Sequence, residues 1–393
     1  MEKIITTERV PIKLWLNDAD EGTLAQARNL ANLPFAFSHI CLMPDAHQGY
    51  GMPIGGVLAT TDTIVPNAVG VDIGCGMIAV QTNLDLDSLP KPIVLALLNN
   101  IRRYVPLGFA HHKKSQDASL MPPGYPIDEM PVVRQEFDSA LRQIGTLGGG
   151  NHFIEIQKDA TERIWIMVHS GSRNIGLKVA EYHNRLAKKL NTQWNSSVNP
   201  KADLAYLPLD TEEAGIYSRE MNYCVEFALA NRRLMLSRIL EVFGEIFSGF
   251  ETGEPVNIAH NYASVEAHYG NTVVVHRKGA TSSRAGEKGI IPGSQGTSSF
   301  IVEGLGNPES FTSCSHGAGR TMSRNEAIRS LDLMGEKQRL DKLGIIHSIR
   351  SRGDLEEASS AYKDIDTVMA LQSDLVTVLV ELRPLAVIKG PGK

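Results

Sequence analysis

Residues 164–190, IWIMVHSGSRNIGLKVAEYHNRLAKKL, change their hydrophobic period part-way along. Ile164 to Val168 is an apolar run of strand length, and from Gly176 to Leu190 the apolar residues recur at helical spacing. Between them, His169 stands at the strand end, directly before the turn Ser170-Gly171-Ser172. Glycine beside a polar side chain lets the backbone take positive φ and lets a ligand approach, so this junction aims an imidazole into a cleft.

The same two periods recur irregularly along the chain. Helical spacing is clearest in Thr23 to Leu33, Pro92 to Tyr104, Gly176 to Leu190 and a long stretch from about Thr211 to Phe247. Strand-like runs lie at Ile40 to Met43, Met77 to Gln81, Ile164 to Val168, Thr272 to Val275 and Phe300 to Val302. Irregular mixing of strands and helices predicts an α+β fold, not a doubly wound sheet. No repeat or biased linker divides the chain, so residues 1–393 are read as a single large domain. Gly108 to Asp128, polar and Pro-rich, and Gly279 to Ser299, rich in Gly and Ser, are expected to be loops.

Hydrophobic residues make up 42% and charged residues 21% of the 393, the balance of a folded, soluble chain and not of a disordered one. No apolar stretch suits a signal peptide or a membrane span, and a cytoplasmic protein with no membrane partner is expected. The four cysteines, Cys41, Cys75, Cys224 and Cys314, form no CxxC pair, which argues against a disulfide framework or a zinc finger. A net charge of −5 argues against a protein coated in nucleic acid, so any contact with a polynucleotide must be local. The candidate patches are Arg102, Arg103, His111, His112, Lys113 and Lys114, then Lys188 with Lys189, then Arg232 with Arg233, although charge runs are commonly solvated faces.

Five of the twelve histidines lie in strings bearing Gly, Asn or Asp: PDAHQGYG at His47, GGGNHFIE at His152, VHSGSRNIG at His169, AHNYA at His260 and SHGAGR at His316. Asp72 and Cys75 lie close together in VGVDIGCGM. A hard oxygen, a soft sulfur and several imidazoles form the mixture that binds zinc, manganese or iron(II), and the donors alone do not choose among them. Taken singly, each residue is ordinary: a lone histidine is more often a satisfied core or surface group, and a lone cysteine a small buried hydrophobe. Neither Rossmann glycine spacing nor GxxxxGK[ST] occurs, which argues against those nucleotide sites.

Taken together the strings resemble a known family. MPDAHQGYGMPIGGV, NAVGVDIGCGM, LGGGNHFIEI, VHSGSRNIG, AHNYA, KGA, GIIPGSQG, SCSHGAGRTMSR, AYKDID and VIKG look like successive signature blocks of the RtcB RNA-splicing ligases, in family order from about residue 40 to 390. The resemblance implies one RtcB-like α+β domain, with mixed sheets flanked by helices around a central metal cleft. It also implies joining of RNA ending in a 3′-phosphate or 2′,3′-cyclic phosphate to a 5′-hydroxyl end, with GTP and two Mn2+ ions. Asp72, Cys75 and His152 would hold one ion and Cys75, His169 and His260 the other, with Cys75 shared.

The resemblance makes His316 the catalytic nucleophile that takes the guanylate, with Gly317 and Gly319 letting backbone N–H groups approach the phosphate and Arg320 offsetting charge. It places the guanine nucleotide on Asn151, His152, Phe153, Ile154 and Glu155, on His260 and Asn261, on Pro292, Gly293, Ser294, Gln295 and Ser299, on His316, Gly317, Ala318 and Gly319, and on Lys389. A carboxylate such as Glu155 can accept from guanine N1–H and its exocyclic amine, which adenine cannot match. Asp45 and His47 are expected near the metals and Arg173 near an RNA phosphate. The other partners implied are an archease-type activator and RNA itself, acting on a monomer. Gly108 to Asp128 matches none of the quoted blocks, and PGK follows VIKG as a short tail.

Two other classes share these residues: a metal-dependent hydrolase that only opens cyclic phosphates, and a non-catalytic RNA-binding paralogue. The first would never make a joined product, even with GTP. The second would bind RNA without carrying manganese.

Overall fold

The apolar runs seen in the sequence are the centres of longer strands. In the computed structural model, which describes residues 1–390, Ile40 to Met43 lies within Ala36–His47, Met77 to Gln81 within Gly76–Asp85 and Ile164 to Val168 within Arg163–Ser170. The tail 391–393 lies outside the described residues. Thr211 to Phe247 becomes the helix Glu212–Ile246, where the Thr211 side chain accepts from Ala214 N–H and Glu212 and Glu213 face the positive end of the dipole.

Two sheets carry most strands. One has the order Lys3–Ile5, Ile12–Leu14, Ala36–His47, Ile54–Thr60, Asn271–Lys278, Asn261–His268. The other runs Val256–Ala259, Gly76–Asp85, Arg163–Ser170, Phe153–Lys158, Val376–Lys389, Ser299–Gly304, Lys288–Ile291. Ile12–Leu14 pairs parallel with Ala36–His47, and every pairing in the seven-stranded sheet is antiparallel. The fold is α+β, as expected.

Side-chain alternation gives the seven-stranded sheet two different faces. Ile78, Val80, Ile154, Ile156, Ile166 and Val168 pack with Leu97, Ile101, Met235 and Ile239 of the helices Lys91–Tyr104 and Glu212–Ile246. Met77, Phe153, Trp165 and Met167 face the other way, among Ile290, Ile345 and Leu355. The active residues described below lie on or beside this second face.

One expected loop is wrong. Residues 279–299 contain the strands Ala280–Ser282, paired with Ser313–Ser315, and Lys288–Ile291, whose buried Ile290 and Ile291 pair with Ile301 and Phe300, while Gly286 takes the tight turn at φ +78°. Residues 108–128 are indeed irregular apart from short 3-10 turns at Ala118–Leu120 and Ile127–Glu129. Among the described residues, no helix is long and apolar enough to cross a membrane.

Candidate active site

Strand register gathers the predicted ligands. Gly76 pairs with both Ser170 and Ala259, Phe153 pairs with His169, and Lys389 pairs with Phe153. Cys75, His152, His169 and His260, each at or next to a strand end, therefore meet at one end of the seven-stranded sheet. The backbone closes the corner: His260 N–H donates to Cys75 C=O at 2.8 Å, and Gly74 N–H to Asn261 C=O at 2.7 Å.

Cys75 Sγ lies 3.4 Å from His152 Nε2 and 3.3 Å from His169 Nε2, while His152 Nε2 lies 3.1 Å from Asp72 Oδ2. Two triads result, Cys75-His169-His260 and Asp72-Cys75-His152, with donor atoms in each within 4.8 Å of one another. One sulfur belongs to both. Burial, followed by the Asp72 charge, pushes the Cys75 thiol well above its ordinary range. Burial lowers His169 and His260 well below theirs, with neighbouring imidazoles adding to it, so both rings are neutral as ligands must be. Burial raises Asp72, but the hydrogen bond and charge of His152, with Arg173, outweigh it and hold the carboxyl at about 2.

These donors suit a pair of divalent cations. Buried His260 Nδ1 has no partner, and the His169 ring is set by its Nδ1 bond of 3.1 Å to Asn151 C=O, which turns Nε2 towards the sulfur. Arg173 donates to His152 Nδ1 at 3.2 Å, so Nε2 carries the proton shared with Asp72. That proton must leave when Nε2 takes a cation.

The long helix holds the centre from behind through two residues that sequence reasoning did not single out as supports. Asn231 Oδ1 accepts from Gly145 and Thr146 N–H, and its Nδ2 donates to Ser170 Oγ and Gly171 C=O. Arg232 donates to Gly74 C=O at 2.9 Å, Ser170 C=O at 2.8 Å and Asn257 Oδ1 at 2.8 Å. Arg232 is fully buried, which corrects its reading as part of a polynucleotide patch: its charge is spent on the carbonyls of ligand-bearing loops. Close packing also sets the corner, since a Cβ on Gly76 would lie 1.9 Å from Ile258 C=O.

His316 arrives from another element. The strand Ser313–Ser315 pairs with Ala280–Ser282, and the His316 ring stands 4.8 Å from that of His260, centroid to centroid. Asp45, fully buried, accepts through Oδ2 from the backbone N–H of His316 at 3.1 Å and of Gly317 at 3.2 Å. The same oxygen is 2.6 Å from His316 Nδ1, but off the direction of a hydrogen bond. Gly317 N–H is therefore occupied and not free for a phosphate, contrary to expectation. Gly319, at φ +75°, serves close packing, because a Cβ there would meet Asp45 C=O at 2.3 Å.

Beside His316 opens a cavity of about 750 Å³, counting the space at its mouth. Of the predicted nucleotide residues, Asn151, Phe153, Glu155, Pro292, Gly293, Ser294, Gln295, His316, Gly317, Ala318, Gly319 and Lys389 line it, as do His47 and Arg320. Others do not reach it with their side chains. Ile154 points into the helix-facing core by strand alternation; Asn261 spends its amide on Gly279 N–H and Asp72 C=O; Ser299 Oγ lies behind, accepting from Gly293 N–H and Gln157. His152 and His260 stand at the metal end. Ile54, Arg324, Glu357 and Tyr362 line the cavity without having been singled out. Glu357 is the hub of its cationic wall, bonded by Tyr362 and lying 3.3 Å from each of Arg320, Arg324 and Lys389. Arg320 and Lys389 were expected here, and the motifs SCSHGAGRTMSR and AYKDID contain Arg324 and Tyr362, but nothing in the sequence pointed to Glu357 as their common partner.

A family model described as "tRNA-splicing ligase RtcB" matches residues 26–123 and 125–390. The chain belongs to the RtcB family. Its match runs through most of residues 108–128, which the quoted motifs had left outside the family pattern. An RtcB RNA-splicing ligase of Escherichia coli K12 is 40% identical over 99% of each chain. RtcB tRNA-splicing ligases of Nanoarchaeum equitans, 32% identical over 97% of this chain and 95% of the relative, and of Thermococcus kodakarensis, with the same identity and shares, are also similar.

Proposed function

We propose that this chain is an RNA ligase that joins an RNA 3′-phosphate or 2′,3′-cyclic phosphate end to a 5′-hydroxyl end in splicing or repair, using GTP and two manganese ions. The observation that carries this reading is that His316 lines a cavity and stands with its ring against that of His260, a member of the Cys75-His169-His260 triad. Family membership and the names of the relatives support RNA joining as the overall reaction.

In this reading His316 Nε2 is the nucleophile. Asp45 holds the His316–Gly317 backbone and lies beside Nδ1, the nitrogen that is then not the one offered to the nucleotide. The Nε2 lone pair forms an N–P bond to the α-phosphorus of GTP as the α–β P–O bond breaks and pyrophosphate leaves. A cyclic end is first opened by water, breaking its P–O2′ bond to leave a 3′-phosphate; the guanylate then passes from His316 to the RNA 3′-phosphate, and attack by the 5′-hydroxyl on that phosphate releases GMP. Glu155 accepts from the guanine edge, while Lys389 and Arg320 present positive charge along the wall. Asp72, Cys75, His152, His169 and His260 would hold the manganese ions, which when bound would supply Lewis-acid charge to the phosphoryl oxygens. The protein works as a cytoplasmic monomer, and an archease-type activator accelerates the guanylylation cycle.

The test is incubation with α-labelled GTP and manganese, followed by peptide mapping and RNA product analysis. Label is expected on His316 alone, and His316→Ala is expected neither to take label nor to join RNA. A labelled His316→Ala protein would overturn the assignment.

A further inference from the structure

Two aromatic rings stand almost fully in solvent near the Asp72-Cys75-His152 end of the centre: Phe109 is 78% exposed and Tyr50 81%. Isolated exposed apolar residues are common, but these two are presented on pinned backbone. Gly108 N–H donates to Gly148 C=O at 2.8 Å, His112 N–H to Arg142 C=O and Gln116 N–H to Leu141 C=O. Arg238 clamps the same loop by donating to His112 Nε2 at 2.8 Å and to Gln116 Oε1 at 2.5 Å. Phe109 thus rides on the segment leading into His152. A Cβ on Gly148 would touch the Arg173 guanidinium, which itself bonds His152.

Tyr50 is joined through Lys278 to the segment that carries Asp72, another member of the triad. Its C=O accepts from Lys278 Nζ at 2.5 Å, the Lys278 stem lies against Gly70, and Val71 and Asp72 follow at once. The charge nearby has the sign of a phosphate partner although the chain carries −5 overall. The Arg173 guanidinium lies against Gly148, the acceptor for Gly108 N–H, and Arg142 C=O accepts from His112 N–H, so both arginines belong to the framework that carries Phe109.

We propose that Phe109 and Tyr50 are stacking platforms for unpaired bases, so that the enzyme grips RNA as a single strand over the Asp72–His152 end of the centre, on Arg142 and Arg173. Every base has a π-face, so such a grip tolerates any sequence and selects frayed or single-stranded ends over blunt duplexes. This rests on the RNA-joining reading above.

The manganese-loaded full chain is titrated into a dye-labelled single-stranded RNA bearing a 3′-phosphate, and its labelling by α-labelled GTP without RNA is measured in parallel. Phe109→Ala and Tyr50→Ala are each expected to weaken RNA binding on the order of 10-fold with GTP labelling unchanged, and Phe109→Trp to restore binding. Abasic nucleotides near the RNA end should weaken binding to the parent protein but not further weaken binding to the double alanine variant. Alanine variants that bind RNA as the parent does, or a parent indifferent to abasic positions, would overturn the proposal and leave the rings to a protein partner. A parent that takes no label from GTP would count against the ligase reading, while the RNA titration still reports on the rings.

Discussion

Cys75 is a thiol that its surroundings keep protonated until a cation arrives: it is buried, and its nearest charge is the carboxylate of Asp72. Loading the centre must expel the Cys75 proton, while the His152 proton only moves from Nε2 to Nδ1, so calorimetry in buffers of different ionisation enthalpy is expected to show proton release on binding. Cys75→Ser should empty both triads together, with a loss no smaller than the about 10- to 100-fold that follows removal of an outer partner. Metal analysis after dialysis reads this, and a variant retaining one full equivalent would show that the triads fill separately. Glu155 makes a different prediction. Burial raises its pKa to about 8, against the opposing pull of Gln157 and Lys389, so below that pH the free protein holds it as an acid that cannot accept from both guanine donors. GTP affinity is expected to rise with pH up to about 8 and then level off, and Glu155→Gln to bind weakly with a flat profile. An unchanged pH dependence in that variant would remove Glu155 from base recognition.

The elements differ in how openly the sequence announced them. The helix Glu212–Ile246 was legible almost to the residue, because Thr211 supplies a cap and the apolar stripe is uninterrupted. The strand Val376–Lys389 was missed altogether although it lies inside the seven-stranded sheet, fifth in order, because Glu381, Arg383 and Pro384 break the alternation and a bulge at Pro384 absorbs the irregularity. The ligand strings were legible through their order along the chain, since each combines a chemically active side chain with glycines that a sharp corner needs. Supports such as Asn231 and Arg232 were not, because buried polar residues within a helix look like its surface until their acceptors are known. They carry a prediction of their own: Arg232→Met leaves the carbonyls of Gly74 and Ser170 without a donor, at about 1–3 kcal/mol for each group stranded. Denaturant unfolding and manganese content are expected to fall together; a loss of stability with full metal content would confine Arg232 to the core.

Across the whole molecule the centre ties distant stretches of chain together, so occupancy should be felt as stability. At a manganese concentration about a hundred times Kd, the native state should gain about 2.7 kcal/mol per site, seen as a melting temperature that drops on adding a chelator. Cys75→Ser should lose that dependence, and a parent protein whose melting ignores chelation would show that the ions do not brace the fold. The placing of Val376–Lys389 between Phe153–Lys158 and Ser299–Gly304 has a consequence in time. While the polypeptide is still being made, its seven-stranded sheet lacks an interior member and its cavity lacks Lys389, the last of the lining residues to leave the ribosome. An unfinished copy therefore has no complete pocket with which to act on the message that encodes it.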